Sequence, residues 1–276
     1  MDPLYSTLSF DISRLVTQRY STSFSLGITC FDPQIRGPIY SLYGFVRFAD
    51  EIVDSFHEYD KAKLLDDFER DFYKAKAQGI SLNPILNSFQ QTVKRYNIDD
   101  DLIQAFISSM RSDLLRSSYS EKEIKDYIYG SADVVGLMCL KIFVDGNQSE
   151  YDRLKPYAMR LGSAFQKINF LRDIGHDIQE LHRIYFPVLR NQPLNESTKK
   201  EILEEIEEDY KVAMQGIRQL PKCAYAGVYT AYLYYYTLTR KIEKTPANIL
   251  LTKRVRVSDY EKIWLFVKAF VSTKFN

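Results

Sequence analysis

Apolar residues recur at the three- and four-residue spacing of a helix along almost the whole of this chain, and the alternation of a half-buried strand is nearly absent. That feature confines the fold to the all-α class. The periodic segments predict helices over 4–20, 39–57, 60–78, 84–96, 99–116, 121–144, 150–181, 197–219, 222–242 and 258–273. Pro33, Pro38, Pro84, Pro187, Pro221 and Pro246 are expected at the breaks. No repeat of fixed period, low-complexity tract or Gly/Ser linker divides the 276 residues, so the expectation is a single helical domain spanning 1–276. With 45% hydrophobic residues it has ample material for a core.

Two of these helices carry carboxylates where a buried helix should not. On a wheel for 39–57, Arg47, Asp50, Glu51 and Asp54 share a sector of about 100°, while Leu42, Phe45, Ala49, Ile52 and Val53 spread over the rest. On 158–181, Gln166, Asn169, Asp173 and Asp177 share a sector of about 80°, with Phe165, Ile168, Leu171 and Ile174 in other directions. Buried carboxylates require pairing or a metal, and Arg47 alone is too little counter-charge. Oxygen donors on successive turns select a hard cation such as Mg²⁺, which favours one or two carboxylates plus phosphate oxygens of a substrate. Arg47, Arg172 and Arg183 lie beside the two stripes, and their guanidinium forks suit phosphate. An isolated Asp-x-x-x-Asp is more often a solvated face; the pairing of two stripes on apolar helices shifts that balance.

Other function classes are excluded or left open by composition. Lysine and arginine number 37 against 36 acids, a formal charge of +1, so no field recruits nucleic acid. Cys30, Cys139 and Cys223 are widely spaced and make no zinc pattern with the three histidines, so reduced thiols are expected. Residues 1–10 lack a basic start and an apolar run, no segment approaches the roughly 20 apolar residues of a membrane span, and a cytoplasmic location is the default. Contact with a membrane surface stays open. The 21 tyrosines and 17 phenylalanines suit a bulky core or the lining of a deep apolar cavity. Gly130, Ser131, Ala132 and Gly136, and Gly162, Ser163 and Ala164, suit a cavity or close helix packing equally well.

The same residues carry a resemblance. Tyr20-Ser-Thr-Ser-Phe24, Arg47-Phe-Ala-Asp-Glu-Ile-Val-Asp54, Tyr127-Ile-Tyr-Gly-Ser-Ala-Asp-Val-Val-Gly136, Gln166-Lys-Ile-Asn-Phe-Leu-Arg-Asp-Ile-Gly-His-Asp177 and Arg183-Ile-Tyr-Phe-Pro187 resemble, in this order and over nearly the whole chain, the squalene/phytoene synthase family of head-to-head prenyl synthases. The resemblance implies an isoprenoid-synthase-type bundle around a central apolar cavity. It implies a first aspartate motif at Asp50 and Asp54, a second at Asn169, Asp173 and Asp177, and a further oxygen from Glu51, together holding Mg²⁺ or Mn²⁺. It places Ser23 on a flap, Arg47 and Gln166 near the diphosphates, Arg183 as the arginine after the second motif, and Tyr129 as a cavity tyrosine; Arg172, within the second helix, joins them as a candidate substrate-binding residue by its position beside the stripe. The wording of the first motif is closest to the phytoene synthase branch, which implies condensation of two geranylgeranyl diphosphates through a cyclopropyl intermediate, without NADPH. A C15-using squalene or dehydrosqualene synthase and a non-catalytic prenyl-binding protein of the same fold are the alternatives. Two departures stand out: Glu51 occupies a position where many members carry aspartate, and His176 one where the second motif usually carries glutamate.

Overall fold

Most helices begin where a short polar side chain takes over a free backbone N–H. Asp2 accepts from the Leu4 amide at 2.8 Å ahead of α1 (Pro3–Tyr20), and Asp32 from the Gln34 amide at 2.9 Å ahead of α3 (Pro33–Asp54). Asn83 does the same for the Ile85 amide at 3.0 Å ahead of α5 (Pro84–Tyr96). In all three a proline fills the first turn, where its missing N–H is no loss. α4 (Lys61–Gln78) is capped by Asp60 and stopped by Gly79 at φ 74°, a left-handed position that glycine adopts without penalty. The computed structural model describes residues 2–115, 119–180 and 182–274, and among them there is no strand.

The chain continues through α6 (Asp100–Leu115), α7 (Glu121–Ile128), a π turn (Tyr129–Asp133), α8 (Val134–Phe143) and the 32-residue α9 (Gln148–Gln179). After a 3₁₀ turn at Pro187–Arg190 come α10 (Glu196–Ile217), α11 (Lys222–Lys244), α12 (Ala247–Leu250) and α13 (Asp259–Lys274). Several elements depart from expectation. Pro38 lies inside α3 and not at a break, because burial of Ile35, Ile39 and Tyr40 around it outweighs one lost backbone hydrogen bond. The segment in which the resemblance places a flap at Ser23 is helical: Ser21 ends α1 and its hydroxyl accepts from the Phe24 amide at 3.1 Å to start α2 (Thr22–Ile28). The expected helix 121–144 is interrupted by the π turn, where Gly130 presses on the backbone of α6; a Cβ there would sit 2.7 Å from the Ala105 carbonyl. Residues 116 and 181, the expected ends of two helices, lie outside the described residues.

Two apolar clusters back the two carboxylate helices. Behind α3, Phe45 stacks on Phe89 at 4.0 Å and on Phe68 at 5.2 Å. Behind α9, Phe170 stacks on Tyr185 at 4.0 Å, with Ile168, Leu171 and Ile174 in the same cluster. Such buried ring pairs fix the rotation of each helix about its own axis, and therefore the direction of its acidic stripe. α9 is further held by Lys167, buried and bonded to Asp209 of α10 at 2.6 Å, with Arg160 on the other Asp209 oxygen at 2.8 Å. Small residues set two close approaches: a Cβ on Gly162 would meet the Ala132 carbonyl at 2.9 Å, and one on Gly175 the Leu251 carbonyl carbon at 2.7 Å.

Candidate active site

Between the two carboxylate helices the bundle encloses a cavity of about 590 Å³, lined from α2, α3, the π turn, α8, α9, α10, α11 and α13. Much of its wall is apolar, with Phe31, Leu140, Phe143, Phe165 and Ile217 among the lining side chains. The small residues Ser131, Ala132, Gly136 and Gly162 line it as well, so they serve both the close packing and the space. Among the polar groups that enter it are Ser23, Arg47 and Asp50 from the α2–α3 side, Gln166, Asn169 and Arg172 from α9, and Lys262 from α13. Six of the twelve sequence-predicted site residues therefore reach the cavity wall.

Glu51, Asp54, Asp173, Asp177 and Arg183 lie off the wall, on adjoining turns and the segment after α9. Tyr129 is a correction: it opens the π turn and packs on the apolar cluster behind α3, and it does not line the cavity. Tyr43, Tyr234 and Tyr235 do line the space. Tyr127, two positions earlier, is buried and donates to Asp113 Oδ2 at 2.7 Å; Tyr119 donates to Oδ1 at 2.9 Å.

Arg183 ties the acidic groups together. Its amide donates to the Asp177 carbonyl at 2.7 Å and its guanidinium to the Asp113 carbonyl at 2.8 Å. Burial raises the carboxyls of Asp54, Asp113 and Asp177, and the same Arg183 charge counteracts that rise at each. One guanidinium is thus within electrostatic reach of α3, α6 and α9. Even so, Asp113 is pushed up to about 6. Asp177 rises to about 7 through burial and repulsion from Asp173. Asp50 rises to about 7 through burial and repulsion from Asp54, against the pull of Arg47. Sites where desolvation and like charges act together are short of positive charge.

The remaining carboxylates already have cations. Glu51 is bonded to Arg47, whose guanidinium also lies 4.5 Å over the Tyr20 ring. Asp173 is gripped from two sides, by Arg172 at 2.6 and 3.0 Å and by Arg254 at 2.6 and 3.1 Å. Arg254 was not foreseen. It arrives because the Leu251 carbonyl nests against Gly175, and the one sequence signal, the basic run Lys253-Arg-Val-Arg256, reads equally as a solvated charge cluster. His176 is exposed and faces Glu180 at 3.5 Å, away from the stripe.

The donor set fits a divalent cation accompanied by an anionic ligand. Asn169 Oδ1 is buried without a hydrogen-bond partner, on the cavity wall beside Asp50 and Arg172 in the lining. Among the described residues no three His, Cys, Asp or Glu side chains converge into a metal cage by themselves. Magnesium rarely occupies an all-protein cage and takes several ligands from water and phosphate, which is the arrangement these separated oxygens allow.

The family model for squalene/phytoene synthase matches residues 17–261, a span containing both stripes, all of the cavity lining except Lys262 and Leu265, and Arg254. The chain belongs to the squalene/phytoene synthase family. It is thereby a prenyltransferase of the head-to-head type, acting on prenyl diphosphates. It is 28% identical over 270 residues to a 15-cis-phytoene synthase of Synechocystis sp., covering 87% of this chain and 78% of the relative. A phytoene synthase of Arthrospira platensis is 26% identical over 284 residues, covering 92% and 90%. Among solved structures, a dehydrosqualene synthase in complex with ligand superimposes with a TM-score of 0.82 over 98% of both chains at 19% identity, a likeness of fold. The all-helical single bundle matches the fold read from the sequence.

Proposed function

We propose that this family member joins two molecules of geranylgeranyl diphosphate head to head to give phytoene. The observation that carries the reading is one cavity with a largely apolar wall that also bears Asp50, Asn169 and the two arginines Arg47 and Arg172, with Arg254 reaching Asp173 just off that wall. Sequence relatives over nearly the full chain bear the phytoene synthase name, which favours C20 over C15 substrates. In the reaction, one C20 unit loses diphosphate, its C1 bonds to the double bond of the second, and a proton leaves to close a cyclopropane. Departure of the second diphosphate opens the ring, and loss of a second proton makes the new double bond. No hydride is consumed, so NADPH is not needed.

Mg²⁺, with Mn²⁺ as a substitute, would be held by Asp50, Asp54, Asn169 and Asp177, with Asp173 and Glu51 joining once their arginines are displaced, and when bound it supplies charge neutralisation for the departing diphosphate. Arg47, Arg172, Arg183 and Arg254 present guanidinium forks to the diphosphate oxygens, exchanging a carboxylate partner for a phosphate one. Gln166 and Ser23 orient the head groups from opposite walls. Phe165, stacked on Tyr235 at 4.0 Å, belongs to a wall that keeps water from carbocations, which would otherwise be quenched to alcohols.

A product assay tests this directly. Purified protein is supplied with geranylgeranyl or farnesyl diphosphate, with Mg²⁺ or EDTA, with or without NADPH, alongside Asp173→Ala. Metal-dependent phytoene from the C20 substrate alone, lost in the variant, is the expected result. A C15-derived hydrocarbon as the main product overturns the substrate assignment, and prenyl binding without turnover overturns the enzymatic reading.

A further inference from the structure

Among the described residues, the last helix leaves an apolar face largely exposed. Tyr260, Ile263, Trp264 and Val267 follow the i, i+3, i+4, i+7 spacing of one helical stripe, and they are 88%, 58%, 61% and 52% exposed. Isolated exposed apolar residues are ordinary, but four large ones contiguous on one helix mark an interaction surface. The opposite face is seated: Leu265 is 4% exposed within the cluster behind α9, and it lines the cavity together with Lys262. One helix therefore has the prenyl cavity on its inner side and an uncovered apolar stripe on its outer side.

Cations outnumber acids in the segment that carries the stripe, even after Arg254 is matched with Asp173 and Lys262 with Asp259. Residues 252–274 contain six lysines and arginines against two acids. Both acids are already paired, Asp259 with Lys262 at 2.9 Å and Glu261 with Lys241 at 2.5 Å. Lys268 lies 5.2 Å over the Trp264 ring, placing a cation beside the indole at the rim of the stripe. An amphipathic helix with tryptophan and aliphatic side chains on one face and lysines flanking it is suited to lie in the plane of a bilayer, its apolar side in the acyl boundary and its cations at anionic head groups. Among the described residues no helix is long and apolar enough to cross a membrane, so attachment here is to the surface.

We infer that α13 is a docking helix that sets the cavity against an anionic lipid surface, through Tyr260, Ile263, Trp264 and Val267. Its use rests on the proposed reading in one respect: a C40 hydrocarbon has no aqueous phase to leave into, and the helix that walls the cavity is the one that touches lipid. The docking itself is independent of which hydrocarbon is made.

Trp264 is the only tryptophan in the chain, so its fluorescence reports on this face alone. The full chain is mixed, without substrate, with phosphatidylcholine–phosphatidylglycerol vesicles, and in parallel with vesicles carrying brominated acyl chains. The expected result is a blue shift of Trp264 emission, quenching by the brominated lipid, and flotation that weakens with salt or when phosphatidylglycerol is omitted. The double substitution Ile263→Ser with Val267→Ser should lower vesicle partitioning by about tenfold or more while leaving helicity and detergent-supported turnover unchanged. Emission that neither shifts nor quenches at saturating lipid overturns the inference, as does equal flotation of the double variant. A lipid-free blue shift that grows with protein concentration assigns the face to a second copy of the chain and overturns it too. Because substrate is absent, these outcomes are distinct from failure of the product assay.

Discussion

Replacing Gly175 by alanine tests how the site is assembled. In the interior of a helix this change normally stabilises by about 1 kcal/mol, because alanine loses less backbone freedom on folding. Here the new methyl would meet backbone: the Leu251 carbonyl carbon at 2.7 Å and the Leu250 oxygen at 3.1 Å, with the Leu251 oxygen closer still. A backbone neighbour cannot rotate away as a side chain can, so the segment after α12 must shift. Overpacking of this kind costs about 1–3 kcal/mol, and the Gln179 bond to the Leu251 carbonyl at 3.2 Å is strained with it. The overpacking outweighs the propensity gain over most of that range, leaving a net loss of up to about 2 kcal/mol and a Tm lower by up to roughly 4 °C. Shifting the segment also draws Arg254 from Asp173, so turnover should fall further than the loss of folded protein explains. For stability Gly27→Ala is the control, since nothing lies within 4 Å of a Cβ there. Urea unfolding is read on both variants; Gly27 lines the cavity, so product formation by Gly175→Ala is compared with the unsubstituted protein. A Gly175→Ala protein as stable as Gly27→Ala, with unchanged turnover, would refute the close approach and the route by which Arg254 reaches the site.

Asp177→Asn should lower turnover by about a hundredfold or more yet raise stability at alkaline pH by about 1–3 kcal/mol, because it removes a buried charge repelled by Asp173; paired unfolding and activity measurements check both signs. Asp133 is buried, accepts from the Ser163 hydroxyl at 2.8 Å, and is pushed up to about 7 by desolvation, so the folded state holds a proton that the unfolded state has released between about pH 4 and pH 7. Stability attributable to it falls as pH rises through that window, by at most about 1.4 kcal/mol per pH unit, and Asp133→Asn should flatten the slope in urea titrations. Arg254→Gln should raise the KM for prenyl diphosphate more than it lowers kcat if its guanidinium moves from Asp173 to phosphate, which steady-state kinetics resolve. Tyr129→Phe should leave turnover within about twofold, whereas Tyr127→Phe strips a donor from the buried Asp113 carboxylate, costing about 1–3 kcal/mol and loosening Arg183; activity and unfolding assays separate the two.

The sequence determined the class of fold and the axes of the chemistry. Periodicity is a local property, set by which residues follow one another at three and four positions, so the helices and the two stripes at Asp50–Asp54 and Asn169–Asp177 were legible without a structure. Tertiary structure decided what those stripes face and which of their oxygens are free. That Asp173 is held by Arg254, 81 positions away, follows from the backbone contact at Gly175, and no local pattern encodes it. The same holds for Arg183, whose place beside Asp113 depends on how the chain runs after α9, and for Tyr129, which opens a π turn packed closely on α6 and lies off the cavity wall. Side-chain direction in a helix follows from residue number only while the helix is regular, and partners across a bundle are fixed by packing, whose range along the chain has no limit.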